Sequence, residues 1–157
     1  MVVIIMGSKA DFEFCQKIGK VLDSFDVKYV CRIASAHKTP LQVLEILNQE
    51  NEVGTKIYIT VAGRSNALSG FVDANTIKPV IACPVYSEKF SGADIFSSLR
   101  MPSGSGLMTV LEPDAAAFAA IKLLAVEDQV LQQKLERKQH EMREAITQAD
   151  KEIRNRG

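Results

Sequence analysis

Residues 35–40, with the sequence SAHKTP, place one of the chain's two histidines between a hydroxyl group and a lysine. Histidine exchanges protons near neutral pH, and lysine supplies a fixed positive charge. His37 and Lys38 together predict proton transfer on an anionic substrate. Thr39 and Pro40 are also typical of the start of a helix, so a purely structural turn is the alternative interpretation.

A first loop, GSKAD at residues 7–11, precedes this second loop (residues 35–38) and follows the first apolar run. Gly7 permits close backbone approach, the start of the next helix offers N–H groups to a phosphate, and Ser8 adds a donor. Asp11 would repel a phosphate but could accept a hydrogen bond from a ribose hydroxyl or a ring amine. The spacing of Ser8 and Asp11 is equally typical of a capping box, which is structural.

Two more loops carry polar residues after apolar runs. The third loop, Gly63-Arg64-Ser65-Asn66, puts a cation and two hydrogen-bonding side chains at the start of a helix, although Arg64 could be an ordinary surface residue. The fourth loop combines residues 87–92 with the glycine- and serine-rich residues 101–106 and predicts either mobile backbone donors or a simple connector. Neither dinucleotide nor P-loop fingerprints nor metal-ligand spacings occur, so we predict no cofactor and no metal.

Short apolar runs alternate with helical periodicity along the chain, and this alternation predicts the fold. Five β–α units predict an α/β fold: a single-domain, doubly wound parallel sheet, flavodoxin-like and three-layered (α/β/α), with strand order 2-1-3-4-5. In such sheets ligands bind at the carboxyl ends of the strands, where all four loops should lie. The predicted strands are residues 2–6, 27–33, 56–62, 79–84 and 106–111, and the predicted helices include residues 12–25, 40–52 (with Leu41, Leu44 and Leu47 at helical spacing), 91–99 and 115–125.

The C-terminal segment differs in composition from the rest of the chain. From Glu127 to Arg156 the chain is densely charged and has no glycine or proline. Only a thin apolar stripe runs along this predicted helix, too little to hold it by itself. We therefore predict a catalytic domain over residues 1–126 and a C-terminal helix over residues 127–157 that packs in an oligomer, with His140 on its solvated side.

The composition favours a single domain with reduced cysteines and disfavours a protein that binds nucleic acid or a membrane. The 157 residues fit one domain, and 19 basic against 19 acidic residues give no net positive field that would attract nucleic acid or a membrane. The three cysteines are widely spaced and apolar in context, which favours reduced thiols. No charged leader or apolar span is present, so we expect a cytoplasmic protein.

Four segments of the sequence resemble the aminoimidazole ribonucleotide (AIR) carboxylase family of purine biosynthesis, which includes PurE-like enzymes. They are GSKAD (7–11), SAHKTP (35–40), AGRSNALSG (62–70) and SLRMPSG (98–104), and their order and spacing extend the resemblance through essentially the whole chain. The family has a mutase branch and a class II branch that adds carbon dioxide directly. Mutases typically carry SAHRTP and a GGAAHLPG-like third loop; here Lys38 and Ala67 depart from that pattern and favour the carboxylase. Ala10 also departs from the family's GSxSD pattern and removes one possible hydroxyl contact.

The resemblance implies an enzyme that converts AIR and carbon dioxide to 4-carboxyaminoimidazole ribonucleotide (CAIR), reversibly and without a cofactor. It implies a homo-octamer, or failing that a tetramer, whose partners are otherwise only the small-molecule ribonucleotide and carbon dioxide. The alternatives are a mutase acting on N5-carboxyaminoimidazole ribonucleotide and a non-catalytic nucleotide- or phosphate-binding regulatory module. The implied proton shuttle is His37, and the implied substrate-binding residues are Gly7, Ser8, Asp11, Ser35, Lys38, Gly63, Arg64 and Ser65.

Overall fold

The computed structural model describes residues 1–155 and contains, within them, a parallel sheet with the strand order 2-1-3-4-5. Every strand pairing in the sheet is parallel, and the central strands are buried apolar runs, as expected where helices cover both faces. The predicted fold class and strand order are confirmed. In chain order the strands are β1 (Val2–Met6), β2 (Tyr29–Ile33), β3 (Ile57–Val61), β4 (Val80–Ala82) and β5 (Met108–Thr109).

The register of the sheet decides where the loops lie. Met6, the last residue of β1, pairs with Ile33 at the end of β2 and with Val61 at the end of β3. These three strands therefore end at the same level. The first, second and third loops leave the same edge of the sheet, with the first loop between the other two.

Helices cover the two faces of the sheet. Because strand side chains alternate between faces, Val3 and Ile5 share one face, where they join a core cluster with Val43 and Leu68 of two helices. On edge strand β2, Arg32 forms an ion pair with the buried carboxylate of Glu50. In chain order the helices are α1 (Phe12–Ser24), α2 (Pro40–Glu52), α3 (Ala67–Asp73), α4 (Phe96–Leu99), α5 (Pro113–Ala125) and α6 (Gln129–Arg154), of which α6 belongs to the separate unit described below.

Of the three leucines at helical spacing in α2, Leu41 is 78% exposed, because at 3.6 residues per turn it lies on the opposite side of the helix from the buried Val43. Two details of the sequence prediction differ from the structure. Ser91 and Gly92 have φ values of 51° and 75°, a left-handed conformation that cannot continue into the predicted 91–99 helix. Strand β5 has two residues instead of six, since it pairs only with the three-residue β4.

The chain divides into two compact units, residues 1–121 and residues from 122 onward. In the second unit, the Asp128 carboxylate caps α6 by accepting hydrogen bonds from the N–H groups of Val130 and Leu131. Met142 and Ile146 of the predicted apolar stripe are 58% and 73% exposed. Arg156, which the sequence prediction included in this helix, lies outside the described residues.

No helix among the described residues is both long and apolar enough to cross a bilayer.

Candidate active site

The first loop turns directly from β1 into a short 3₁₀ turn that precedes α1. One oxygen of the Asp11 carboxylate, Oδ2, accepts hydrogen bonds from the Ser8 N–H at 3.0 Å and from the Ser8 hydroxyl at 2.9 Å. In a capping box the side chain of the third helical residue accepts a hydrogen bond from the N-cap N–H, as Asp11 does here from Ser8. The structural interpretation of the Ser8–Asp11 spacing is therefore confirmed. The Ser8 N–H is already satisfied, which leaves the later N–H groups of the turn as donors to a ligand.

Gly7 fits closely between neighbouring strands. Its N–H donates to the carbonyl oxygen of Val61 at 2.8 Å, and a Cβ atom at Gly7 would contact the side chain of Ala62 at 3.4 Å. On the other side, the Ala34 N–H donates to the Met6 carbonyl oxygen at 3.0 Å. The backbones of the first three loops are therefore adjacent at this edge.

The second loop is held by short-range hydrogen bonds. The Ser35 N–H donates to the Thr39 hydroxyl at 3.0 Å, the Thr39 N–H donates to the Ser35 carbonyl oxygen at 2.8 Å, and the Lys38 N–H donates to the Ser35 hydroxyl at 3.3 Å. His37 and Lys38 are exposed at the tip of this turn, accessible to a ligand. Pro40 begins α2 as predicted, but the Thr39 hydroxyl does not cap the helix, because it turns back toward Ser35.

The third loop has a constrained backbone. A Cβ atom at Gly63 would lie 2.5 Å from the carbonyl oxygen of Val85, so only glycine fits against the segment that follows β4. Arg64 has a φ of 60°, in the left-handed region that is unfavourable for a residue with a side chain. Arg64 and Ser65 are exposed, whereas Asn66 is only 2% exposed.

A buried polar network supports the third loop. The Asn66 amide donates to the hydroxyls of Ser69, at 2.7 Å, and Ser98, at 3.0 Å, and its oxygen accepts from the Ser69 N–H as the cap of α3. The Ser69 hydroxyl also shares a hydrogen bond of 2.8 Å with Thr60 on β3. The network therefore joins the loop to the sheet and to α4.

The fourth loop lies next to the third. Ser97 of α4 accepts a hydrogen bond from the Asn66 N–H at 3.0 Å. In the fourth loop, the Ser87 N–H donates at 2.8 Å to one carboxylate oxygen of Asp94, which lies just beyond residue 92; the other oxygen is buried and has no hydrogen-bond partner among the described residues. Residues 101–105 line one wall of a groove of about 660 Å³ whose other wall is α3.

The thiols are not nucleophiles in this structure. All three cysteines are free, and burial raises the pKa of both Cys15 and Cys83 to about 12. Burial also raises the pKa of the half-buried Cys31. Few of these thiols ionise at neutral pH, so the chemistry must come from other groups. Over residues 1–155, we find no cluster of three or more histidine, cysteine or acidic side chains that could hold a metal ion.

All the predicted site residues belong to the first three loops, and in the structure these loops lie at one edge of the sheet. The structure does not connect all their side chains: within the described residues, no hydrogen bond or ion pair joins His37 or Lys38 to another loop. Sequence reasoning missed the supporting residues Ser69, Ser97 and Ser98. Asn66 immediately before a helix was a recognisable cap signal, whereas serines more than 30 residues away gave no local signal.

The comparisons with known proteins agree with this geometry. Residues 1–145 match the family described as AIR carboxylase. The chain is 56% identical over 152 residues to the phosphoribosylaminoimidazole carboxylase of Archaeoglobus fulgidus, covering 97% of this chain and 84% of that protein. The human bifunctional phosphoribosylaminoimidazole carboxylase/phosphoribosylaminoimidazole succinocarboxamide synthetase is 37% identical to this chain over 154 residues. This match covers 36% of the length of the human protein. The crystal structure of Treponema denticola PurE superposes with a TM-score of 0.94 at 42% identity, over 96% of each chain. The resemblance seen in the sequence is confirmed, and the chain belongs to the AIR carboxylase family.

Proposed function

We propose that the protein is a phosphoribosylaminoimidazole carboxylase of the class II type, which converts AIR and carbon dioxide reversibly to CAIR in purine biosynthesis. The observation that carries the proposal is the convergence of three polar loops at one sheet edge in a member of this family. One of these loops presents an exposed histidine beside a lysine. That pair fits proton transfer on a phosphorylated substrate better than binding alone, which would not need a histidine.

The first and second loops supply one half of the proposed substrate site. Gly7 lets the substrate approach the backbone, and the Ser8 hydroxyl exchanges its hydrogen bond to Asp11 for one to the sugar phosphate. The Asp11 carboxylate accepts from a ribose hydroxyl or the ring amine. Ser35 and Lys38 hold the anionic end, with Lys38 as the charged anchor. The exposure of Ser8 and Lys38 supports these roles.

The third loop supplies the other half. Gly63 keeps the loop close to the strand ends, and the Arg64 guanidinium and Ser65 hydroxyl bind the phosphate or the carboxylate. Both side chains are exposed at the same edge as the second loop, which supports this assignment.

In the proposed reaction, the enamine-like ring carbon of AIR attacks carbon dioxide and forms a carbon–carbon bond. The carboxylated ring still carries the original proton on that carbon. The neutral imidazole of His37 takes this proton, and the electron pair returns to the ring and restores aromaticity. In reverse, the imidazolium returns the proton before carbon dioxide leaves. One proton carrier is sufficient, and the proposal requires no cofactor.

Two sequence features favour direct carboxylation over the mutase reaction. Lys38 stands where mutases carry arginine, and Ala67 stands where their third loop carries a histidine. Purified protein supplied with AIR and bicarbonate-derived carbon dioxide should form CAIR, which is followed by ultraviolet absorbance. Turnover of N5-carboxyaminoimidazole ribonucleotide without turnover of AIR would instead identify a mutase, and binding without either reaction would identify a regulatory module.

We further propose that the protein acts as a cytoplasmic homo-octamer, in which the C-terminal helix packs against a neighbouring subunit. The exposure of Met142, Ile146 and Ile153 along α6 supports this packing, because an apolar stripe on a charged helix is stabilised by burial. Light scattering at micromolar concentration should give the mass of an octamer, or of a tetramer. A monomer would contradict the proposal.

A further inference from the structure

The hydroxyl of Ser97 links the third loop to α4 across more than 30 residues of sequence. It accepts from the Asn66 N–H at 3.0 Å, and it lies 3.2 Å from the carbonyl oxygen of Arg64. It also lies 2.8 Å from the carbonyl oxygen of Asp94, three residues earlier in its own segment. One hydroxyl therefore contacts the backbone on both sides of Ser65.

This contact matters because the backbone of Arg64 is in an unfavourable conformation. A φ of 60° at a residue with a side chain persists only where the surroundings hold it. The Ser97 hydroxyl accepts from the Asn66 N–H, and its single proton goes to the carbonyl oxygen of Arg64 or of Asp94. Ser98, the next residue, accepts from the buried Asn66 amide. Thr109 of β5 in turn donates to the Ser98 carbonyl oxygen at 2.9 Å, which anchors the segment to the sheet.

The side chain of Arg64 is left free by this arrangement. Within residues 1–155, its guanidinium makes no hydrogen bond or ion pair, whereas its carbonyl oxygen contacts the Ser97 hydroxyl. A cation that is exposed and unpaired, on a constrained backbone, is suited to bind an anionic group of a ligand.

We infer that Ser97 is a positioning residue, which acts through the third loop to hold Arg64 in the orientation that binds the anionic part of the substrate. The inference rests on the proposed function and adds to it a residue outside the four predicted loops. Ser97 itself does not touch the substrate, so its removal should weaken binding without slowing proton transfer.

The experiment compares steady-state decarboxylation of CAIR by the full chain and its Ser97→Ala, Arg64→Ala and doubly substituted variants. Ser97→Ala should raise KM about fivefold, the effect of losing one neutral hydrogen bond, with kcat within about twofold. Arg64→Ala should raise KM about 30-fold. The double variant should be no worse than Arg64→Ala, because both changes remove the same contact. Ser97→Thr, which keeps the hydroxyl, should restore most of the affinity.

Ser24→Ala is the matched control. The Ser24 hydroxyl also donates to the carbonyl oxygen three residues earlier, that of Val21 at 2.7 Å, but it touches no loop of the site. Thermal unfolding of both alanine variants separates a general loss of stability from a loss of positioning. An unchanged KM in Ser97→Ala, or KM effects that multiply in the double variant, would overturn the inference.

Failure of the inference and failure of the proposed function are distinguishable. If the wild-type protein binds CAIR in calorimetry without turning it over, only the proposed function falls. The ratios of Kd among the same four proteins then test the positioning role in place of KM. If the wild-type protein neither binds nor turns over CAIR, both are wrong.

Discussion

The second and third loops lie on opposite sides of the first loop, yet they are held in different ways. The hydrogen bonds of the second loop join residues at most four positions apart, and its tip, with His37 and Lys38, is exposed. The third loop depends on Asn66, which is buried and bonded to residues up to 32 positions away. Short-range bonds in water constrain a turn weakly, whereas a satisfied buried network fixes one conformation. We therefore expect the second loop to adapt to its ligand and the third loop to act as a rigid support.

The largest effect should come from the second loop. His37→Asn removes the proposed proton carrier, so kcat should fall by roughly 10²- to 10⁴-fold while the Kd for CAIR stays within about tenfold. The control is His140→Asn, which removes the chain's other histidine from the exposed surface of α6. Near-normal turnover in the His37 variant would remove this residue from the mechanism. The second loop would then have no catalytic role to set against the supporting role of the third.

The two cations test the difference in rigidity. Lys38→Ala and Arg64→Ala should each raise KM by about 10- to 100-fold, because each removes a charge-assisted contact with an anion. The conservative variants should then differ. Lys38→Arg on the adaptable loop should regain most of the lost affinity, whereas Arg64→Lys on the rigid loop should not, since a lysine cannot reproduce the planar fork. If Arg64→Lys were as active as the wild-type protein, the third loop would not be the fixed partner.

Stability should show the same contrast. Asn66→Ala leaves the buried hydroxyls of Ser69 and Ser98 without the amide donor and should lower the free energy of unfolding by about 1–3 kcal/mol. Thr39→Ala removes an exposed acceptor from the second loop and should lower it by only about 0.5 kcal/mol. Urea denaturation of both variants measures the two values. Equal losses would show that the second loop is held as firmly as the third.

The same contrast explains which parts of the molecule could be predicted. Strand order and the shared edge of the first three loops could be predicted from local patterns. Apolar runs and helix-start signals such as Thr39-Pro40 consist of consecutive residues, so they can be recognised in the sequence. Gly7 and Gly63 could be placed at turns, but the reason for Gly63, the carbonyl oxygen of Val85, is a contact between distant segments. The exposure of Leu41 could not be predicted, because helical spacing alone does not say which face of α2 meets the sheet.

The supporting network could not be predicted because its partners share no sequence pattern. Ser97 and Ser98 meet Asn66 only after β4 has paired with β3 and α4 has been placed beside α3. A pair of serines in a polar segment predicts nothing more than a loop or a short helix. The exposed functional residues were therefore recognisable from the sequence, while the residues that position them were not.

The last expected effect, seen only at alkaline pH, concerns the strands that lead to the loops. Cys31 lies half-buried on edge strand β2, before the second loop, whereas Cys83 is fully buried after β4, next to the segment that packs on the third loop. Burial raises the pKa of the Cys83 thiol to about 12, so above pH 9 the folded state keeps a proton that the unfolded state loses. Stability must then fall as pH rises from about 9 toward 12, by at most about 1.4 kcal/mol per pH unit for each such thiol.

Urea denaturation at pH 8, 9 and 10 measures this slope, and Cys15, whose pKa burial also raises to about 12, contributes with the same sign. Cys83→Ala should flatten the alkaline slope, whatever the cavity does to stability at pH 8, because the ionisable group is gone. Cys31→Ala should flatten it less, since water already reaches that thiol on the edge strand and favours its ionisation in the folded state. Equal slopes in the two variants would mean that the strand before the second loop is as well enclosed as the strand beside the third, and the contrast would then be confined to the loops themselves.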